Sequence, residues 1–327
     1  MDHRTPQDAA LLALLGALRR RDYSFVTPTP ATHRRVLARP DKRVARDLPD
    51  VLGWSLPFER EVLDDELWDL LAQSGEVEPA EGGRFRATIR VSGLGGDLYL
   101  HSAYPTVQED AVFFGPDSYR FAALVASELS RMERRKIATA LDIGTGAGVG
   151  AIVLKRLCPA ARVVGTDVNG GALRFAALNA AAAGVTIEAL EADTPSAVGS
   201  PLDLAIANPP YIIDAGSRTY RDGGALHGRQ VSVDMVADAL PQLSADGRMI
   251  LYTGSAIVAG RDSLHEPLLE LAAKHRRSLR YSMIDPDVFG EELEKEAYRD
   301  VERIALVAAV FEPPSPTARN EFPLRSL

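Results

Sequence analysis

Apolar residues recur with a period near 3.6 over residues 9–20, and the spacing predicts a helix there. Thr27-Pro28-Thr29-Pro30 breaks the pattern, since two prolines in four residues remove donors and fix the backbone. A second helix is expected over residues 60–73, with Gly75 as its stop. Residues 84–91 then alternate as a strand, Gly93 to Gly96 turn, and residues 97–101 return as a second strand. From 22 to 60 the proline breaks leave no element predicted.

From about residue 137 the rhythm changes. Strand-like apolar runs fall at 137–143, 162–167, 185–190, 202–207, 248–253, 279–284 and 304–311. Helix-like segments at 148–157, 172–183, 231–243 and 263–275 separate most of them. Such alternation predicts an α/β fold, a seven-stranded and mostly parallel sheet with helices on both faces. Residues 285–302 read as a loop or short helix, and the tail from Glu312, with Pro313, Pro314, Pro316 and Pro323, as an extended arm. The pattern divides the chain into an N-terminal α+β part (1–110), the α/β part (111–312) and the proline-rich tail (313–327). In the first part, helix, turn and hairpin in that order resemble the recognition helix and wing of a winged-helix module.

Composition narrows the class. With 327 residues, 46% of them hydrophobic, the chain can bury a sizeable core, which excludes wholesale disorder. The apolar run at 9–15 is too short to span a bilayer, and it precedes Arg19-Arg20-Arg21, the wrong order for a twin-arginine export signal. A cytoplasmic protein with no membrane partner is expected. The single cysteine, Cys158, excludes an internal disulfide or a cysteine zinc cage. The six histidines form no i,i+4 pair, so no metal site is expected. Net charge is −8, but residues 1–50 carry ten Lys and Arg against six Asp and Glu. A locally basic arm keeps nucleic acid binding open, because phosphate attraction depends on nearby charge.

The chemistry is concentrated after the first strand of the α/β part. Asp142-Ile143-Gly144-Thr145-Gly146-Ala147-Gly148 runs from a strand through a glycine loop into a helix. Side chains in such a loop would keep a ligand from its backbone, and the helix start offers free N–H groups. Asp167 closes the next strand, where a carboxylate can accept both hydroxyls of a ribose. Together they predict a nucleoside-containing cofactor. The loop alone leaves the dinucleotides open, since Gly146-x-Gly148-x-x-Ala151 also meets their fingerprint. Asp193, after the third strand, is placed to accept the amino group of an adenine.

Asn208-Pro209-Pro210-Tyr211 follows the fourth strand, at the carboxyl edge where open α/β sheets bind ligands. The prolines push Asn208 into an extended conformation. The Asn208 side-chain oxygen and the Pro209 carbonyl can then face a planar –NH2 group, with Tyr211 offering a flat face beside it. His227 and Arg229 follow Gly223-Gly224 in the next loop, which reads equally as a substrate lid or as plain solvent-exposed chain.

With these motifs in view, residues 113–311 resemble a class I S-adenosylmethionine-dependent methyltransferase of the Asn-Pro-Pro-Tyr type. That group includes glutamine-N5 and adenine-N6 methyltransferases. The resemblance implies a Rossmann-like fold and S-adenosylmethionine as cofactor. It makes Asn208, Pro209, Pro210 and Tyr211 catalytic. It also assigns Phe114, Asp142, Gly144, Thr145, Gly146, Gly148, Asp167, Val168, Asp193 and Asn208 to cofactor binding. Gly115-Pro116-Asp117-Ser118 resembles, with Phe114, the segment closing over the cofactor. The acceptor implied is a planar amide or exocyclic amino nitrogen of a nucleic acid or a protein. A small-molecule acceptor, an S-adenosylmethionine-sensing DNA-binding regulator and a nicotinamide enzyme are the competing readings. The N-terminal part departs from the glutamine enzymes' small helical bundle, and serves substrate recognition or homodimerisation on this reading.

Overall fold

A computed structural model describes residues 4–314 apart from 107, 109, 200, 214–221, 225 and 226. Pro316 and Pro323 of the tail therefore lie outside the described residues. The chain opens with α1 (Pro6–Arg20), where Thr5 caps the helix by accepting from the Asp8 N–H at 3.1 Å. The stretch left without a prediction supplies α2 (Pro30–Leu37) and α3 (Leu48–Leu52), each begun by a proline in its first turn. Helix α4 (Asp65–Ser74) ends at Gly75, whose φ of 76° makes the left-handed stop.

Two hairpins follow: β1 (Val77–Ala80) with β2 (Arg84–Ala87), and β3 (Ile89–Leu94) with β4 (Asp97–Ser102). The single strand expected over 84–91 is thus two strands serving different partners. Nor is the second hairpin a free wing. Tyr99, Leu100 and His101 are buried, and Asn179 of the α/β part hydrogen-bonds both backbone groups of Leu100. A wing must reach solvent to meet DNA, whereas this one is spent on packing.

Helix α5 (Pro116–Ser130) leads into the large sheet. Its elements are β5 (Thr139–Ile143), α6 (Val149–Leu157), β6 (Arg162–Asp167), α7 (Gly170–Ala182), β7 (Glu188–Glu191) and β8 (Leu202–Ala207). They continue as α8 (Gln230–Ala239), β9 (Leu243–Val258), β10 (Arg261–Asp262), α9 (His265–Lys274), β11 (Ser278–Val288) and β12 (Arg303–Glu312). The strand order is β11-β12-β9-β8-β5-β6-β7, with the short β10 paired to β9. The four pairs among β7, β6, β5, β8 and β9 are parallel, and β12 runs antiparallel to both of its neighbours. The seven-stranded α/β expectation holds, with β10 as an addition.

Alternation along the strands builds the layers. Ala140, Leu204 and Ile206 pack with Phe121, Val125 and Leu129 of α5 and Leu154 of α6 on one face. Leu141, Ala205 and Ala207 pack with Val236 and Ala239 of α8 and Leu268 of α9 on the other. Leu11, Leu14 and Leu18 of α1 share a third cluster with Ile152 of α6 and Phe175 and Leu178 of α7. The N-terminal elements therefore rest on the helices that follow the glycine loop. Among the described residues, no helix is long and apolar enough to cross a membrane, and no group of three or more His, Cys, Asp or Glu could hold a metal ion.

Candidate active site

Two adjoining cavities open along the carboxyl ends of β5, β6 and β8, of about 390 and 300 Å³. Both volumes lie at the small end of ligand sites. Phe113, Asn208, Pro209 and Pro210 line both and form their common wall.

The first chamber is built around the glycine loop. Gly144, Gly146 and Gly148 take φ values of 66°, 53° and 82°, which side chains resist. Asp142 is buried beneath the loop, accepting from Thr145 Oγ1 at 2.6 Å and from the Ala151 N–H at 2.8 Å. Burial pushes its pKa up to about 7, against the lowering effect of those two donors. A Cβ on Gly150 would stand 2.6 Å from the Asp142 carboxylate, so only glycine fits there. Asp167 accepts from the Gly146 N–H at 2.9 Å with one oxygen and from the Asn169 N–H at 3.0 Å with the other. Each carboxylate oxygen keeps lone-pair capacity for a ligand hydroxyl. Val168, Asn169 and Asp193 line the same chamber, as do Asp142, Gly144, Thr145 and Gly146.

Two residues assigned to the cofactor lie elsewhere. Phe114 is 1% exposed, turned into the core and stacked on His101 at 5.1 Å. Its neighbour Phe113 lines the chamber instead, because successive side chains of an extended segment face opposite ways. Gly148 forms none of the wall; its missing Cβ admits α7, and an added one would lie 3.0 Å from the Ala176 Cα.

The second chamber takes its lining from distant parts of the chain. Thr29 and Pro30 come from the N-terminal part, Asp117 and Arg120 from α5, and Asp285, Asp287, Val288, Phe289 and Glu291 from the end of β11 and beyond. Arg120 pairs with Asp285 at 3.3 Å and lies 3.7 Å from Asp117. Tyr211 also lines this chamber, but only 6% of it is exposed. Its hydroxyl donates to Asp117 at 2.6 Å, and its ring meets Phe289 edge-on at 5.9 Å. Little of the flat face expected for stacking remains open. The Tyr252 hydroxyl of β9 donates to the other Asp117 oxygen at 2.9 Å.

His227 and Arg229 line neither chamber; His227 Nε2 lies 3.1 Å from Asp300. Sequence reasoning missed Phe113, Asn169, Arg120 and Tyr252. Asp117 sat in a quoted motif without a role. Tyr252 is one more apolar-looking position in a long buried strand, and the sequence holds no signal for it.

Comparison with known proteins bears on this architecture. Residues 122–272 match the model of the methyltransferase small domain. The chain is 29% identical over 212 residues to the release factor glutamine methyltransferase of Deinococcus radiodurans, covering 64% of this chain and 74% of that one. It is 34% identical over 157 residues to the enzyme of that name from Chlorobaculum tepidum, covering 42% and 52%. A solved S-adenosylmethionine-dependent methyltransferase from Agrobacterium tumefaciens aligns with a TM-score of 0.46 and 16% identity, over 75% of this chain and 79% of that one.

Proposed function

From a core that is a class I S-adenosylmethionine-dependent methyltransferase, we infer that the acceptor is the side-chain amide of a glutamine presented by a protein. The observation that carries this reading is the wall of Asn208, Pro209 and Pro210 between the two chambers. One chamber has the carboxylates and glycine loop of a nucleoside site, and the other, of about 300 Å³, lies across that wall from it.

The residues fit the cofactor. We assign Asp167 to the ribose hydroxyls, Asp193 to the adenine edge and the loop at Gly144 to Gly146 to the methionine end, with Asp142 holding the loop from below. When bound, S-adenosylmethionine supplies a methyl group made electrophilic by its sulfonium. The chain's own work is positioning. An amide nitrogen is a weak nucleophile because its lone pair is delocalised into the carbonyl. Asn208 Oδ1 and the Pro209 carbonyl accept its two N–H donors, hold it at the shared wall and favour the positive charge that develops as it becomes tetrahedral. Phe113 and the prolines close the wall with apolar surface and keep water from the reacting atoms.

Charge favours protein over nucleic acid as the acceptor. Asp285, Asp287 and Glu291 line the second chamber and repel a phosphate backbone, with Arg120 as the counter-charge in its lining. One observation favours nucleic acid: Arg34, Arg35, Arg39 and Arg43 are exposed on and just after α2, which starts at Pro30 beside this chamber. Salt separates the two readings, since phosphate contacts weaken steeply with ionic strength. The single, buried Cys158 suits a reducing compartment, and the reaction is assigned to the cytoplasm.

The test is transfer of labelled methyl from S-adenosylmethionine into a purified bacterial release factor, total cell protein and total RNA. Peptide mass spectrometry should find a glutamine heavier by one methylene, and Asn208→Ala should lower kcat about 100-fold. Label confined to RNA, or full activity of Asn208→Ala, refutes the reading.

A further inference from the structure

Asp117 is 5% exposed, yet the mechanism above gives it no task. It sits in the first turn of α5, where the helix dipole favours a negative charge. Its two oxygens accept from two phenols on different elements, Tyr211 after β8 at 2.6 Å and Tyr252 on β9 at 2.9 Å. The nearest cation, Arg120, stands off at 3.7 Å. Burial raises the carboxyl's pKa, while the two hydroxyls and Arg120 oppose the rise. A buried carboxylate is costly, and here it spans three elements that meet at the tetrapeptide.

The tetrapeptide needs such an anchor. Pro209 and Pro210 carry no N–H, so two of its four residues have no backbone donor with which to fix themselves. Each forms part of the wall against which the acceptor nitrogen must lie. The Tyr211 hydroxyl is then a tether at the end of that wall, and Asp117 is what it is tied to. Methyl transfer is sensitive to such tethering, because a displacement near 1 Å can cost a factor of about 100 in rate.

We propose that Asp117 is a positioning residue for methyl transfer, acting through Tyr211 and Tyr252 to hold Asn208 and Pro209 in register with the cofactor chamber. The proposal rests on the amide-methyltransferase reading of the tetrapeptide, so its test has one readout that needs no acceptor. In Asp117→Asn, hydrogen exchange at the Ile213 and Gly223 amides, which donate to the Tyr298 hydroxyl at 2.7 Å and the Ile212 carbonyl at 2.8 Å, should quicken tenfold or more, while amides of the loop at Gly144 to Ala151 keep their protection. On the glutamine acceptor, kcat should fall tenfold or more, with KM and S-adenosylhomocysteine affinity within about twofold. Tyr211→Phe, which cuts one of the two ties, should cause part of that fall, and the double variant should be no worse than Asp117→Asn alone, since the Tyr211 tie is lost in both. A purely structural Asp117 would lower the unfolding midpoint without changing kcat per folded molecule. Unchanged exchange at Ile213 and Gly223, unchanged kcat, or multiplicative effects in the double variant would each overturn the proposal. If the unaltered protein methylates no glutamine, the acceptor assignment fails by itself, and the exchange experiment still decides the role of Asp117.

Discussion

Asn179 is the residue through which the N-terminal hairpin, α7 and the glycine loop are joined, and its removal has a calculable cost. Its side chain is fully buried. Oδ1 accepts from the Leu100 N–H at 2.7 Å, while Nδ2 donates to the Leu100 carbonyl at 3.0 Å and the Ala147 carbonyl at 2.9 Å. The amide thus pairs with the outer edge of β4 as a neighbouring strand would, and its spare donor reaches the loop. Asn179→Ala deletes three hydrogen bonds and leaves one N–H and two carbonyls buried without these partners. A typical hydrogen bond contributes about 1 kcal/mol net, and an unsatisfied buried group costs about 1–3 kcal/mol. Some relaxation and water entry offset this, so a loss of about 3 kcal/mol is expected, measured by equilibrium urea unfolding. Asn179→Asp keeps the acceptor but sets a carboxylate against two carbonyls, and should be at least as damaging. Hydrogen exchange at the Leu100 amide should accelerate in both variants. Affinity for S-adenosylhomocysteine should weaken, because Ala147, held through its carbonyl by Asn179, lines the chamber proposed for the cofactor. A loss below about 1 kcal/mol for Asn179→Ala would refute the claim that this residue joins the two parts.

Two further outcomes follow from electrostatics. Burial raises the Asp142 pKa to about 7 from an ordinary 3.8, so the fold favours the protonated form. Stability from this group is complete below pH 3.8 and is lost as pH rises through 7, by at most about 1.4 kcal/mol per pH unit. Relative to Asp142→Asn, which does not titrate, the unliganded protein should lose stability between pH 5 and pH 8; parallel pH profiles for the two would contradict it. Asp287 and Glu291 line the acceptor chamber without taking part in the cofactor wall. Asp287→Asn with Glu291→Gln should change KM for a protein acceptor several-fold and leave S-adenosylhomocysteine affinity unaltered, and a change confined to cofactor affinity would show the chambers to be misassigned.

Much of the α/β part was legible because its signals are local. A strand, a glycine loop and an acid at the next strand's end lie within 26 residues, Asp142 to Asp167, and the sheet brings them together as the alternation implies. Asn208 to Tyr211 announce themselves by two adjacent prolines at a strand end. The errors were errors of facing. Phe113 and Phe114 are identical in type, and only the direction of an extended segment decides which sees the cavity. Gly148 matches its motif, and its missing Cβ admits the close approach of α7. The N-terminal hairpin read as a wing because alternation reports a half-buried strand and says nothing of what buries it. In this chain the burying surface is α7, some 80 residues further along, marked by Asn179 whose polar side chain gives no hint of a partner strand.

The two chambers differ in where their residues come from, and that difference bears on which acceptor is used. The cofactor chamber draws most of its lining from residues 142–235, inside the segment that matches the methyltransferase small domain. The second chamber, the proposed acceptor site, shares Phe113 and Asn208 to Pro210 with it, but takes Thr29, Pro30, Pro116, Asp117 and Arg120 from before that segment and Asp285, Asp287, Val288, Phe289 and Glu291 from after it. On the proposed reading, methyl transfer itself needs only the shared wall. Discrimination among acceptors needs surfaces that differ, and here they come from the N-terminal part and the β11 end. The N-terminal elements are held in place by the cluster that α1 shares with α6 and α7, the helices following the glycine loop and β6. The position of Thr29 and Pro30 is thereby tied to the same helices that shape the cofactor loop. Binding in one chamber should then change affinity in the other, a coupling that must be reciprocal in free energy.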